Sequence, residues 1–136
     1  MNSPYTILIV DDDPDDAGLL MEAISEIAPQ SKCFCIMDGK AALEFLERIK
    51  ILPNLIFLDL NMPKLNGFEC LKEIKKVHQW SVIPVVIYTT SKQKEDEILT
   101  RKLGAVDFIT KPSNFEDIHE IAKKTIEKYS PVQDQF

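Results

Sequence analysis

Ile7-Leu8-Ile9-Val10-Asp11-Asp12-Asp13-Pro14-Asp15-Asp16 is the stretch whose reading decides the fold. Four apolar residues in a row make a strand that needs cover on both faces. Five aspartates fill the next six positions but one, and Pro14 divides them. Proline is favoured at the first helical position because the N–H it lacks would have no helical partner there. Asp13 is therefore the natural N-cap, and Asp15 and Asp16 fall in the first turn, where the helix dipole favours negative charge. Leu19, Leu20, Ala23, Ile24 and Ile27 then share a helical face that ends near Pro29. The stretch is a strand running into a helix, with Asp11 and Asp12 left at the strand's carboxyl end.

The same unit repeats along the chain. Residues 32–36 form a second strand, and Asp38 caps a helix carrying Ala42, Leu43, Phe45, Leu46 and Ile49, closed by Pro53. Leu55-Ile56-Phe57-Leu58 runs into Asp59; Asn66-Gly67 marks a turn, and Phe68, Leu71, Ile74 and Val77 or His78 recur at helical spacing. A fourth strand runs from Ile83 to Tyr88, and its helix, from about Lys92 to Leu103, stops at Gly104. Ala105 to Ile109 is a fifth strand, and Ile118, Ile121, Ala122, Thr125, Ile126 and Tyr129 stripe the last helix. Five strand–helix units with wholly apolar strands predict a parallel sheet covered on both faces, with right-handed crossovers and functional loops at the strands' carboxyl ends.

The 136 residues, 45% of them hydrophobic, suit one domain, expected over residues 5–129 with 130–136 as a short tail and no output domain. Sixteen Lys plus Arg against twenty-two Asp plus Glu leave a net charge of -6, which opposes attraction to phosphate backbones and anionic lipid. No nucleic acid and no membrane partner is expected. No apolar run approaches the ~18 residues of a membrane span, and Met1-Asn2-Ser3-Pro4 does not open a signal peptide, so a cytoplasmic location is expected. Cys33, Cys35 and Cys70 are odd in number and read as small apolar residues. A metal shared by Cys33 and Cys35 with His78 or His119 is the weaker reading.

In a parallel sheet the residues just after each apolar run converge. These are Asp11 and Asp12, Asp59, Thr89 and Thr90, and Lys111. Carboxylates brought together repel by roughly 4 kcal/mol per close pair at an effective dielectric near 20, and a cation relieves that repulsion. An all-oxygen set with few protein ligands suits Mg2+, which keeps several waters and leaves positions for a phosphate oxygen. Lys111 adds a second positive charge, and the Thr89 hydroxyl can donate to an added oxyanion. Such a site is built for phosphoryl transfer, with the Asp59 carboxylate as nucleophile and no general base required.

Ile7-Leu8-Ile9-Val10-Asp11-Asp12, Leu58-Asp59-Leu60-Asn61-Met62-Pro63, Asn66-Gly67, Thr89 and Lys111-Pro112 together resemble the receiver domain of bacterial response regulators, over nearly the whole chain. The 30 residues from Asp59 to Thr89 and the 22 from Thr89 to Lys111 suit that family's ordering. The resemblance implies a flavodoxin-like doubly wound α/β sheet in order 2-1-3-4-5. It implies Asp59 as phospho-acceptor, Asp12 as a direct Mg2+ ligand, Asp11 as a ligand largely through water, and Asn61 as a ligand through its backbone carbonyl. Thr89 and Phe108 match the family's switch pair, though Phe108 lacks the hydroxyl of the more frequent Tyr. Asn61 and Ser91 match the positions that tune dephosphorylation, and the Lys111–Pro112 peptide is expected to be cis, aiming Lys111 into the site.

By the same resemblance the chain is expected to be a stand-alone, chemotaxis-regulator-like response regulator, a signalling protein rather than an enzyme. It would take its phosphoryl group from a sensor histidine kinase or a histidine phosphotransfer protein and then bind an output protein. The acidic run also resembles small receivers paired with bacterial phytochrome-type kinases. The polar fourth helix with strand five and the last helix, including Lys92, Lys94, Glu95, Asp96, Glu97, Arg101, Lys102 and Asp107, is the expected docking face, and either monomer or homodimer is open, the dimer through that face or through Phe136. Three other classes compete. A degenerate receiver would serve only as an interaction module, which the complete acid, Thr and Lys set opposes. A haloacid-dehalogenase-type phosphohydrolase needs a Thr or Val where Asp15 stands. A flavin carrier needs a first loop that cradles phosphate, and five aspartates would repel it.

Overall fold

A computed structural model describes residues 5–129; the expected tail, with Phe136, lies outside them. The chain runs β1 (Thr6–Val10), α1 (Pro14–Ile27), β2 (Lys32–Ile36), α2 (Gly39–Arg48), β3 (Leu55–Leu58), α3 (Gly67–Lys76), α4 (His78–Ser81), β4 (Val85–Thr89), α5 (Lys94–Lys102), β5 (Asp107–Thr110) and α6 (Phe115–Tyr129). All five strands are parallel, in the order β2-β1-β3-β4-β5. The fold is the flavodoxin-like one expected.

Alternation along the central strands divides the core in two. Leu8, Val10, Ile56, Leu58, Val85 and Ile87 face α2, α3 and α4, where they meet Leu46, Leu71, Ile74 and Trp80. Ile7, Ile9, Leu55, Phe57, Val86 and Tyr88 face α1 and α6, against Leu20, Ile24, Ala122 and Ile126. Burying both faces explains why β1, β3 and β4 carry no polar position before their last residue save Thr6, where β1 begins. The β2 edge is only half-buried, and Cys33 and Cys35 lie there as free thiols. Burial pushes the Cys33 and Cys70 thiols up to about 12, consistent with inert packing residues.

Caps fix where the helices begin. Asp13 Oδ1 accepts from the N–H groups of Asp15 and Asp16 at the start of α1, with Pro14 following as expected. Asp38 caps α2 through the Ala41 N–H, and Asn66 caps α3 through that of Glu69. Gly104, at φ +113, ends the α5 segment in a conformation that glycine adopts without strain.

Three expectations about the elements are corrected, and one element is added. Leu19 is 40% exposed, because it lies at the rim of the α1 stripe while Leu20, Ala23 and Ile24 fill its centre. Strand β4 begins at Val85 rather than Ile83, since the Ile83 N–H bonds back to Trp80 and its carbonyl accepts from Lys75 Nζ. Strand β5 begins at Asp107 rather than Ala105, whose N–H returns to the Thr100 carbonyl as the chain leaves α5. The short α4 was not anticipated: the Trp80 and Ser81 N–H groups both bond to the Val77 carbonyl, and the turn tucks the Trp80 ring into the core.

Candidate functional site

The carboxyl ends of β1, β3, β4 and β5 bring the predicted residues to one edge of the sheet. Asp11 follows β1 and its N–H bonds to the Ile36 carbonyl at 2.9 Å; Asp59 follows β3 and its N–H bonds to the Val10 carbonyl at 2.9 Å. The Lys111 N–H bonds to the Thr89 carbonyl at 2.7 Å, which ties the end of β5 to β4. Ladder bonds therefore set these side chains before any contact among the side chains themselves.

Asp11, Asp12 and Asp59 each offer an oxygen within 4.8 Å of the others. Asp11 and Asp59 are buried and Asp12 is exposed, so the cluster has one open side. The Lys111 ammonium, with its side chain only 7% exposed, lies 2.9 Å from Asp11 Oδ2, 2.8 Å from Asp16 Oδ2 and 3.5 Å from Asp59 Oδ2. Its hydrogen bond goes to Asp16. Asp11 Oδ2 touches the ammonium but is not aligned to accept from it, and so is buried without a hydrogen-bond partner. Its other oxygen accepts from the Asp13 N–H at 3.0 Å.

Burial pushes the Asp11 carboxyl up to about 6, against the pull of the Asp13 N–H and of Lys111. Burial alone would lower Lys111, but its contacts with Asp16 and Asp11 and the charge of Asp59 outweigh that and hold its pKa above the ordinary lysine value. The ammonium is thus charged throughout the physiological range.

The loop after β3 shapes the remaining side. Asp59 Oδ1 accepts from the Leu60 N–H at 2.8 Å, and the Leu60 carbonyl accepts from the Gly67 N–H at 2.9 Å. A Cβ on Gly67 would overlap the Asp59 carbonyl and the Leu60 Cα, so only glycine lets α3 start this close to Asp59. Asn61 lies exposed, two residues past Asp59.

Thr89 is fully buried, and its Oγ1 accepts a long 3.4 Å contact from the Ser91 N–H. The Ser91 hydroxyl is turned away to Asp96 Oδ2 at 2.6 Å and also accepts from the Gln93 N–H, organising the entry to α5. Phe108 is half-buried against the α3 side of the core. The Lys111–Pro112 peptide is not cis: every peptide bond among the described residues is trans, and Lys111 reaches the acids because three carboxylates draw it in.

Two contributors escaped the sequence reading. Asp16 was assigned only to the helix dipole, yet its carboxylate reaches Lys111; its place at the third helical position, on a helix starting beside the site, was the available signal. Tyr88 precedes Thr89 and faces the α1 layer by alternation, which puts its ring 5.8 Å below the Lys111 ammonium.

The donor set fits a hard divalent cation. Three carboxylate oxygens converge, one side is open, and a buried Asp11 oxygen has lone pairs unused. A parallel sheet in this order, with an acid pocket and a buried lysine at its carboxyl edge, is the arrangement expected above for a receiver domain. The Response regulator receiver domain family matches residues 7–123, and the chain belongs to that family. It is 35% identical over 127 residues to the response regulator Rcp1 of Synechocystis sp., covering 90% of this chain and 86% of Rcp1. The crystal structure of the phosphorylated cyanobacterial phytochrome response regulator RcpA superposes with a TM-score of 0.88 at 30% identity, over 96% of each chain. The Mn2+-bound form of Rcp1 does so with a TM-score of 0.84 at 33% identity, over 96% of this chain and 98% of that one. Membership places the chain in two-component signalling. Among the described residues no helix is long and apolar enough to cross a membrane.

Proposed function

We propose that the chain is a working receiver that accepts a phosphoryl group on Asp59 and signals by a change in protein binding. The observation that carries this reading is the buried Asp59 carboxylate, 3.5 Å from the buried Lys111 ammonium and beside Asp11 and Asp12. Asp59 attacks the phosphorus of a phosphohistidine; the new O–P bond forms as the P–N bond breaks, and the electron pair leaves with the imidazole. Lys111 neutralises charge on the transferring group, and the Thr89 hydroxyl turns toward one of its oxygens. Asp11, Asp12, Asp59 and the Asn61 carbonyl would hold Mg2+, which supplies further charge neutralisation.

The receiver unit runs over residues 5–129 and works in the cytoplasm. Similarity to Rcp1 and RcpA supports a phytochrome-type histidine kinase as donor, directly or through a histidine phosphotransfer protein. The output partner docks on α5, β5 and α6, with Thr89 and Phe108 as the switch. Whether that partner is a second copy is read by light scattering: a mass unchanged by concentration and phosphorylation counts against a homodimer.

Incubation with acetyl phosphate and Mg2+, followed by intact mass, tests the reading. Gain of one phosphoryl group, lost in Asp59→Asn and with EDTA, is expected. No gain in folded protein that binds Mg2+ would leave a degenerate receiver that acts only as an interaction module.

A further inference from the structure

The three carboxylates around the Lys111 ammonium are not equivalent. Asp16 Oδ2, at 2.8 Å, receives the hydrogen bond; Asp11 Oδ2, at 2.9 Å, is not aligned to accept; Asp59 Oδ2 stands off at 3.5 Å. Asp16 belongs to the first turn of α1, and its own N–H is held by the Asp13 cap at 3.1 Å, so its carboxylate is presented from a fixed helix start. The Tyr88 ring, 5.8 Å from the ammonium, bounds another side of its position.

An ammonium freed from Asp16 has Asp11 and Asp59 as its nearest remaining anions. In a buried site a direct lysine–carboxylate pair competes strongly with a divalent cation for the same oxygens. We infer that Asp16 is a positioning residue: it takes the Lys111 hydrogen bond, holding the ammonium 3.5 Å from Asp59 and off the hydrogen-bonding direction of the Asp11 Oδ2 it touches, which leaves those oxygens available to the metal and to the phosphoryl group. Asp16 acts through Lys111, without itself joining the three-acid cluster. The inference rests on the acid cluster as the Mg2+ site and on Asp59 as the acceptor, and it goes beyond both by giving a role to a residue otherwise explained by the helix dipole.

The test is a double-mutant cycle on Mg2+ binding to the unphosphorylated full chain, read by isothermal titration calorimetry. Wild type, Asp16→Asn, Lys111→Met and the double variant are compared, with circular dichroism melts to establish folding. Asp16→Asn is expected to weaken Mg2+ binding about tenfold, the equivalent of one charge-assisted hydrogen bond. In the Lys111→Met background the same substitution is expected to cost about threefold or less, the effect of charge alone. Asp16→Glu, which returns a carboxylate on a longer stem, is expected to bind within about threefold of wild type. Equal losses in the two backgrounds would make Asp16 a distant charge and overturn the inference. So would wild-type affinity in Asp16→Asn, or a wild type that binds no Mg2+. Phosphoryl uptake by the wild type, measured in parallel, separates the two ideas: no uptake removes the acceptor reading, while the metal-binding cycle decides the role of Asp16 without it.

Discussion

Asp11 is buried to 1% exposure, and that burial raises its carboxyl pKa. With its folded pKa raised to about 6, the folded state holds a proton that the unfolded chain has already released. The sign follows: the contribution of Asp11 to stability is fully present below the unfolded carboxylate pKa and is lost as pH rises through about 6. In metal-free protein the advantage of Asp11→Asn over wild type should therefore grow between pH 4 and 7, read by urea unfolding in EDTA. A gap independent of pH would contradict the burial argument. Cation binding must displace the same proton, so Mg2+ affinity should fall as pH drops below about 6, read by calorimetry across that range. Gly67→Ala belongs at this scale too. The added methyl meets backbone of Asp59 and Leu60 and should cost about 1–3 kcal/mol while weakening Mg2+ binding.

Among the elements, α4 shows how one side chain sustains a helix that propensity would not. Its four residues are held by two N–H groups on the Val77 carbonyl, and Trp80 packs with Ile74, Ile83 and Val85 in the α3-side core. Lys75 Nζ closes the same corner by donating to the Ser81 and Ile83 carbonyls at 2.9 and 3.1 Å. Trp80→Ala should cost about 3–5 kcal/mol, measured by circular dichroism because the variant loses the chain's single tryptophan. A loss under about 1 kcal/mol would mean that α4 is held by its backbone alone. Helix α5 differs, since its start depends on polar contacts: the Ser91 hydroxyl to Asp96, and the Thr110 hydroxyl to the Ser91 carbonyl at 2.9 Å.

For the whole molecule, that polar corner links the site to α5 and β5. Thr89 touches the Ser91 N–H, Ser91 holds the start of α5, and Thr110 links the corner to β5. If the Thr89 hydroxyl turns to a phosphoryl oxygen, the Ser91 contact is released first. Beryllofluoride with Mg2+, a phosphoryl mimic, should therefore change amide hydrogen exchange at residues 90–96 and in β5 while leaving β2 and the body of α2 as they were. A uniform change over the molecule would argue for general stiffening instead of a directed switch.

The apolar runs at 7–10 and 55–58 and the acids that close them determined the sheet, its parallel sense and the convergence of Asp11, Asp12, Asp59, Thr89 and Lys111. Helix starts were legible because caps such as Asp13, Asp38 and Asn66 act within three residues of themselves, whereas the strand order came from the family resemblance. What local pattern could not carry was anything that depends on a distant partner. Ile83 has the composition of a strand, yet a lysine eight positions earlier claims its carbonyl. Lys111 reaches the acids across a trans peptide because charge draws it there. Asp16 has the ordinary signature of a first-turn carboxylate, and only tertiary folding brings Lys111, 95 residues on, within 2.8 Å of it. Sequence sets what each segment is by short-range sterics and periodicity; which buried charge faces which is decided when the strands align and water leaves the site.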